Sequence, residues 1–144
     1  MSHHFVETAF VPLHIAVLTV SDSRGEAQDT SGNYLKEAAE AAGHQVLAKE
    51  IVRDDVYQLR AVLSRWIADP QINVVLGTGG TGITGRDSTP EALLPLLDKV
   101  IEGFGELFRQ VSFKDIGTST VQSRAIAGLA NGTFVFCLPG STGA

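Results

Sequence analysis

Between Val74 and Ala92 the chain reads VVLGTGGTGITGRDSTPEA, and few folds accommodate such a stretch. Val74 to Leu76 is the short apolar run of a strand covered on both faces. Gly77, Gly79, Gly80, Gly82 and Gly85 then remove side chains where a backbone turns sharply or approaches a ligand closely. Thr89 is placed to cap the following helix, with Pro90 at its first position and Glu91 in its first turn. A strand, a glycine loop and a helix N-terminus in succession form the repeating unit of a parallel α/β sheet. The loop offers amides to an anion, so phosphate is the expected guest. Asp87 lies among those donors, where a carboxylate can hold Mg²⁺ or orient a nucleophile. The loop can also be read as a tight connection and nothing more. No Gly-Lys-Ser/Thr follows the glycines, and the loop comes after the third strand instead of the first, so neither the Walker A nor the Rossmann fingerprint fits.

The rest of the chain supplies the remaining layers. His14 to Val20 reads as a first strand, followed by the polar loop Ser21 to Gly25. Asp29-Thr30-Ser31-Gly32 opens a helix that runs to Ala42 and stops at Gly43. Gln45 to Val52 is a second strand. Asp54 and Asp55 precede a helix with the apolar stripe Val56, Leu59, Leu63, Trp66 and Ile67, ending near Asp69-Pro70. Val74 to Thr78 is the third strand. Glu91 to Leu97 is helical, and Phe104, Leu107, Phe108 and Val111 predict another helix after Gly103. Asn131-Gly132 between two apolar runs, Ala125–Ala130 and Thr133–Leu138, predicts a type I′ hairpin. The order βαβαβα plus a hairpin predicts a three-layer α/β/α sandwich, mostly parallel, with one antiparallel strand. The domain is expected over residues 13–144, with residues 1–12, including His3 and His4, as an N-terminal tail.

Polar residues collect where strands end: Ser21 and Asp22 after the first, Asp54 and Asp55 after the second, Gly79 to Asp87 after the third, Pro139-Gly140-Ser141 after the last. Open parallel sheets bind ligands outside the carboxyl ends of their strands, so these segments should converge on one cleft. Polar residues end most strands in any case, yet four matching segments favour a site. The 144 residues are 44% hydrophobic and 19% charged, as expected for one globular domain. A net charge of -5 without a basic run argues against nucleic acid and anionic membrane as partners. Cys137 is alone in an apolar run, as a packed thiol, and the four histidines show no metal-ligand spacing. There is no signal-peptide pattern and no bilayer-length apolar stretch, so the expectation is a soluble, cytoplasmic protein.

The candidate carboxylates carry competing readings. Asp54 or Asp55 can cap the second helix, and Asp87 can satisfy amides of its own loop. Arg86 and Arg124 can pair with phosphates or with neighbouring acids. Trp66, Phe104 and Phe108 read as packing.

Gly79-Gly80-Thr81-Gly82, Asp87-x-Thr89-Pro90-Glu91-Ala92, Gly103-Phe104-Gly105-Glu106, Ser123-Arg124 and Leu138-Pro139-Gly140 together resemble the MoaB/MogA family of molybdenum cofactor biosynthesis, over nearly the whole chain. Gly117-Thr118-Ser119-Thr120 ahead of Gln122-Ser123-Arg124 is more similar to the MoaB branch than to MogA. The resemblance implies a pterin and nucleotide cleft and a homo-oligomer, a trimer or a hexamer. A mean hydropathy of +0.13 agrees with that assembly without establishing it. The resemblance further implies an enzyme, molybdopterin adenylyltransferase, that uses ATP and Mg²⁺, with other enzymes of the same pathway as partners. The alternative in the same pathway is a non-catalytic molybdopterin-binding or scaffold protein; a more distant one is another nucleotide-handling α/β enzyme.

Carried onto this chain, Asp54 and Asp87 match the family's two functional carboxylates, as catalytic residues and Mg²⁺ ligands. Gly79, Gly80, Thr81 and Gly82 would cradle phosphate. Ser21, Asp22, Thr89, Ser123, Pro139, Gly140 and Ser141 would bind substrate. Family members continue into a C-terminal helix after the Leu-Pro-Gly-Ser turn; the sequence stops at Ala144, and Ser141 looks like a cap for that helix.

Overall fold

A computed structural model describes residues 9–23 and 25–141 of the chain. The expectation for His3 and His4 lies outside these residues. Six strands form one sheet in the order β2-β1-β3-β6-β5-β4. They are β1 (His14–Val20), β2 (Gln45–Val52), β3 (Val74–Thr78), β4 (Lys99–Val100), β5 (Ile126–Ala130) and β6 (Thr133–Leu138). β1 pairs in parallel with both β2 and β3, and β3 with β6; β5 runs antiparallel to β6 and to β4. β5 is the antiparallel strand anticipated from the hairpin. Asn131 (φ 49°) and Gly132 (φ 77°) both take the left-handed conformation that a type I′ turn requires. β4 escaped the sequence reading, because two residues carry no periodicity.

Helices cover both faces. α1 (Thr30–Ala41) links β1 to β2 on one face, and α2 (Val56–Ala68) links β2 to β3 on the other. The strands alternate accordingly. Ala16, Leu18 and Val75 pack with Leu59, Leu63 and Trp66 of α2 and with Ala92 and Leu93 of the short α3 (Thr89–Leu93). Ile15, Val17 and Leu76 pack on the opposite side with Leu35 and Ala39 of α1. Trp66 is buried in the larger core, as its place on the apolar stripe predicts. Because β2 and β3 flank β1 on opposite sides, the sheet reverses direction of growth at β1/β3, which opens a crevice at the carboxyl ends of those strands.

α4 (Glu102–Ile116) follows β4 and is continued by a 3-10 turn over Gly117–Gln122. Its Phe104 ring meets Phe136 of β6 edge-on, 5.3 Å between centroids, so α4 shares the α1 face of the sheet. Two helix starts show how local chemistry is allocated. Asp29 caps α1 by accepting the Gly32 N–H at 3.0 Å, and it is fully buried. Burial pushes its carboxyl pKa up, but Lys49 Nζ at 2.7 Å, the Thr19 hydroxyl at 2.8 Å and the Gly32 amide outweigh that and hold it below the ordinary value. At α3 the expected cap is corrected. Ser88 occupies the cap position without a side-chain bond, and Thr89 is the first helical residue.

Candidate functional site

The crevice is a cleft of about 850 Å³ above the carboxyl ends of β1, β3 and β6. Its floor is the glycine loop. Gly79 (φ 102°) and Gly80 (φ 70°) adopt conformations that side-chain-bearing residues rarely reach. A Cβ at Gly79 would strike the Val20 carbonyl, and one at Gly80 would strike Thr89 Oγ1. Thr89 therefore belongs behind the loop. Its hydroxyl donates to the Gly79 carbonyl at 2.9 Å, its amide to the Gly80 carbonyl at 3.0 Å, and it does not line the cleft. The expectation that Thr89 contacts substrate is corrected: it is a support for the loop. The Gly79 amide is also spent, on the Leu138 carbonyl at 2.9 Å. The N–H groups of Gly80 and Thr81 have no protein acceptor among the described residues, so the anion-binding capacity of the loop lies there.

Arg124 staples this loop from outside. Its guanidinium donates to the Gly82 carbonyl at 2.7 Å, the Asp87 carbonyl at 2.9 Å and Glu91 at 2.7 Å, and its amide donates to the Thr81 carbonyl at 2.9 Å. Of the two readings of Arg124, the one that paired it with a neighbouring acid describes the structure. Arg86 likewise pairs with Asp22, Nε to Oδ2 at 2.8 Å.

The two aspartates before α2 divide the work that the sequence left open. Asp55 is the cap, its Oδ1 accepting the Tyr57 and Gln58 amides at 3.0 and 2.9 Å. Asp54 is thereby released to the cleft, where its Oδ1 accepts the Ser88 amide at 2.9 Å. Burial pushes the Asp54 carboxyl above the ordinary aspartate value, and the nearby charges of Asp87 and Asp22 push the same way against the Ser88 bonds. Asp22 moves in the opposite direction, held low chiefly by Arg86 and then by the Asp54 amide.

Asp87 lines the cleft too, yet its Oδ2 is engaged by its own loop, accepting the Thr84 amide at 2.9 Å and the Thr84 hydroxyl at 2.7 Å. That Thr84 hydroxyl is the main cause of its lowered pKa. Asp87 therefore organises its loop and also faces the cleft. The charge pattern is a carboxylate of raised pKa between two of lowered pKa, which is how one acidic cluster acquires distinct roles.

Ser21, Gly82, Ser123, Pro139, Gly140 and Ser141 join Asp22, Asp54, Asp87, Gly79, Gly80 and Thr81 around the cleft, so every anticipated site residue but Thr89 converges there. The Ser123 hydroxyl is buried without a partner among the described residues, and so is that of Ser31, a cleft residue at the start of α1 that the sequence reading passed over. The larger omission is a whole wall. Phe108, Val111, Ser112, Asp115 and Ile116 of α4, with Gln122, face the glycine loop across the cleft. Phe108 is thus more than packing. The signal for it was present in the apolar stripe of α4, which looks in sequence like any core-facing helix.

Hard oxygen donors in this number suit Mg²⁺, which takes one or two carboxylates and completes its shell with water and substrate phosphate. No group of three or more His, Cys, Asp or Glu forms a ready-made metal cage among the described residues. Cys137 stays outside the site, its buried thiol pushed up to about 12 by desolvation. No helix among the described residues is long and apolar enough to cross a membrane.

Residues 16–144 match the family described as "Probable molybdopterin binding domain". Molybdenum cofactor biosynthesis protein B of Escherichia coli (strain K12) is 58% identical over 137 residues, covering 95% of this chain and 81% of the relative. A crystal structure of a molybdenum cofactor biosynthesis protein B superposes with a TM-score of 0.90 at 44% identity, covering 94% of this chain and 85% of that one. The tungsten cofactor synthesizing protein MoaB from Pyrococcus furiosus superposes with a TM-score of 0.84 at 40% identity, covering 94% and 87%.

Proposed function

The chain belongs to the molybdopterin-binding family of molybdenum cofactor biosynthesis proteins, on the MoaB side, and from that premise we propose that it adenylylates molybdopterin with Mg-ATP in the cleft described above. In this reading an oxygen of the pterin's terminal phosphate attacks the α-phosphorus of ATP. The bond to the bridging oxygen breaks, pyrophosphate leaves, and AMP becomes attached to the pterin phosphate. The attacking phosphate is already ionised near neutral pH, so no strong general base is needed, and the rate comes from positioning and electrostatics.

The observation that carries this reading is the release of Asp54. With Asp55 capping α2, the Asp54 carboxylate sits within the field of Asp87 and Asp22, in the same cleft as Gly80 and Thr81, whose amides have no protein acceptor among the described residues. Mg²⁺ brought with ATP supplies neutralisation of the phosphates, and Asp54 and Asp87 are the carboxylates suited to hold it. The glycine-loop amides would bind the phosphate chain, and Ser123 and Pro139 to Ser141 would position substrate.

A second reading has one observation in its favour. Because Asp87 Oδ2 is committed to Thr84, a pterin-binding scaffold could use the same loop without nucleotide chemistry. The two separate in one experiment: protein mixed with molybdopterin and Mg-ATP, followed for adenylylated pterin and pyrophosphate. Product formation supports the enzyme. Pterin binding by folded protein with no Mg²⁺-dependent ATP affinity and no product overturns it in favour of the scaffold.

The same protein is proposed to be a homo-oligomer, a trimer or a hexamer. Support comes from the outer side of α4 and the segment after it, where Leu107 (61%), Phe113 (56%) and Val121 (78%) expose apolar surface that a second copy would cover. A monomer mass by light scattering at micromolar concentration overturns this.

A further inference from the structure

The wall formed by α4 differs in chemistry from the floor. Phe104, Phe108, Val111 and Asp115 recur at the spacing of one helix face. The first part of that face packs on the sheet, through Phe104 against Phe136. Beyond it, α4 runs past the strand ends, and the same face becomes the cleft wall at Phe108, Val111 and Asp115. Val111 (56%) and Ile116 (53%) expose apolar side chains there, as a wall for a flat ring would.

The face also has a direction. Arg109, next to Phe108, donates to the Ser123 carbonyl at 3.2 Å, and the adjoining Arg124 amide donates to Thr81. The Phe108 turn is therefore tied to the glycine loop, and Asp115 lies two turns farther from it, about 10 Å along the axis at the α-helical rise. Asp115 is exposed, and its carboxylate has no hydrogen-bond or ion-pair partner among the described residues.

A carboxylate at the end remote from the anion-binding loop repels phosphate and attracts N–H donors. We propose that Asp115 determines which ring the cleft accepts, its two oxygens taking the ring N–H and the exocyclic amino N–H of a 2-amino-4-oxopteridine whose phosphate tail reaches the Gly79–Gly82 loop. This rests on the reading that the cleft binds molybdopterin, and it names the residue that recognises the pterin end. An ionised carboxylate only accepts hydrogen bonds. The 2-amino-4-oxo edge offers two adjacent donors, a bidentate match. The corresponding edge of adenine sets a donor beside an acceptor, so one carboxylate oxygen would face a lone pair. The α4 end of the cleft thus takes the pterin and turns adenine away, which keeps the two substrates of the proposed reaction in separate subsites.

The test compares two probes, the phosphate ester of 6-hydroxymethylpterin and that of the matching lumazine, in which a 2-oxo group replaces the 2-amino group. Both are titrated by fluorescence against the parent protein and Asp115→Asn, whose exposed position spares the fold. The parent should prefer the pterin ester by about tenfold or more, as sites built to hydrogen-bond a substrate edge do. Asp115→Asn should lose most of that preference, because its amide can donate to the 2-oxo group, while Mg-ATP affinity stays at the parental value. An unchanged pterin-to-lumazine ratio in Asp115→Asn overturns the role of Asp115 and leaves the pterin reading standing. A parent protein that binds neither ester overturns both.

Discussion

α2 and α4 are helices of similar length, 13 and 15 residues, and both carry an apolar stripe, yet they end in opposite circumstances. α2 buries Leu59, Val62, Leu63 and Trp66 against the sheet and α3. α4 buries Gly105 alone, and Leu107, Val111, Phe113 and Ile116 all remain more than half exposed. One helix is finished by its own chain. The other runs off the end of the sheet, lending its inner face to the cleft and its outer face to solvent or to another copy. An apolar stripe therefore identifies a surface that needs covering without saying whether core, ligand or partner covers it.

The largest expected effect lies on the α2 side. Leu63→Ala removes a fully buried side chain from the main core and should cost about 2–5 kcal/mol in urea unfolding, the range for such cavities. A cost below 1 kcal/mol would erase the contrast between the two helices. On the floor of the cleft, Asp54→Asn and Asp87→Asn should each lower adenylylation by roughly a hundredfold, the scale of a lost electrostatic contact in a water-excluded site. Pterin affinity should change less, since the Gly80 and Thr81 amides remain. A fully active Asp87→Asn would confine Asp87 to its bonds with Thr84.

On the α4 side, Leu107→Asp alters an exposed residue outside the cleft and should shift the stability of an isolated chain by no more than about 0.5 kcal/mol. The same substitution should dissociate the oligomer in light scattering, and an oligomer that withstands it would locate the interface elsewhere. The smallest effect concerns pH. The raised pKa of Asp54 means that its charged form is disfavoured in the fold, so it lowers stability at neutral pH and not in acid. Asp54→Asn should therefore raise the Tm near pH 7. The gain should shrink as pH falls through the raised folded value and vanish below the unfolded value of 3.8. A Tm that drops on substitution would show that the Ser88 contact depends on the charge.

Much of this was legible along the chain. β1, β2 and β3 have the boundaries that their apolar runs predict, and the Asn131-Gly132 turn follows from the φ those residues tolerate. Anticipating a cleft from four strand ends succeeded because the carboxyl ends of parallel strands share one edge of the sheet. Thr89 was misassigned because a threonine before Pro-Glu satisfies a capping rule, whereas the hydroxyl is claimed from a distance in sequence by the Gly79 carbonyl. Arg124 was ambiguous for a similar reason: its carbonyl acceptors at Gly82 and Asp87 lie about forty residues away, and carbonyls leave no mark in a sequence.

Local chemistry, then, was determined by the sequence itself: which segments extend, which coil, where glycine permits a positive φ, and that carboxylates and glycines directly follow the strands. These depend on side-chain sterics and periodicity within a few residues. Whether Asp54 or Asp55 caps α2, whether Asp87 serves its loop or the cleft, and where α4 leaves the sheet were decided only in three dimensions. The bonds of Asp55 to Tyr57 and Gln58 and of Asp87 to Thr84 are local, but Asp54 meets the Ser88 amide from 34 residues away, and which carboxylate faces the cleft is settled by where the fold sets these segments.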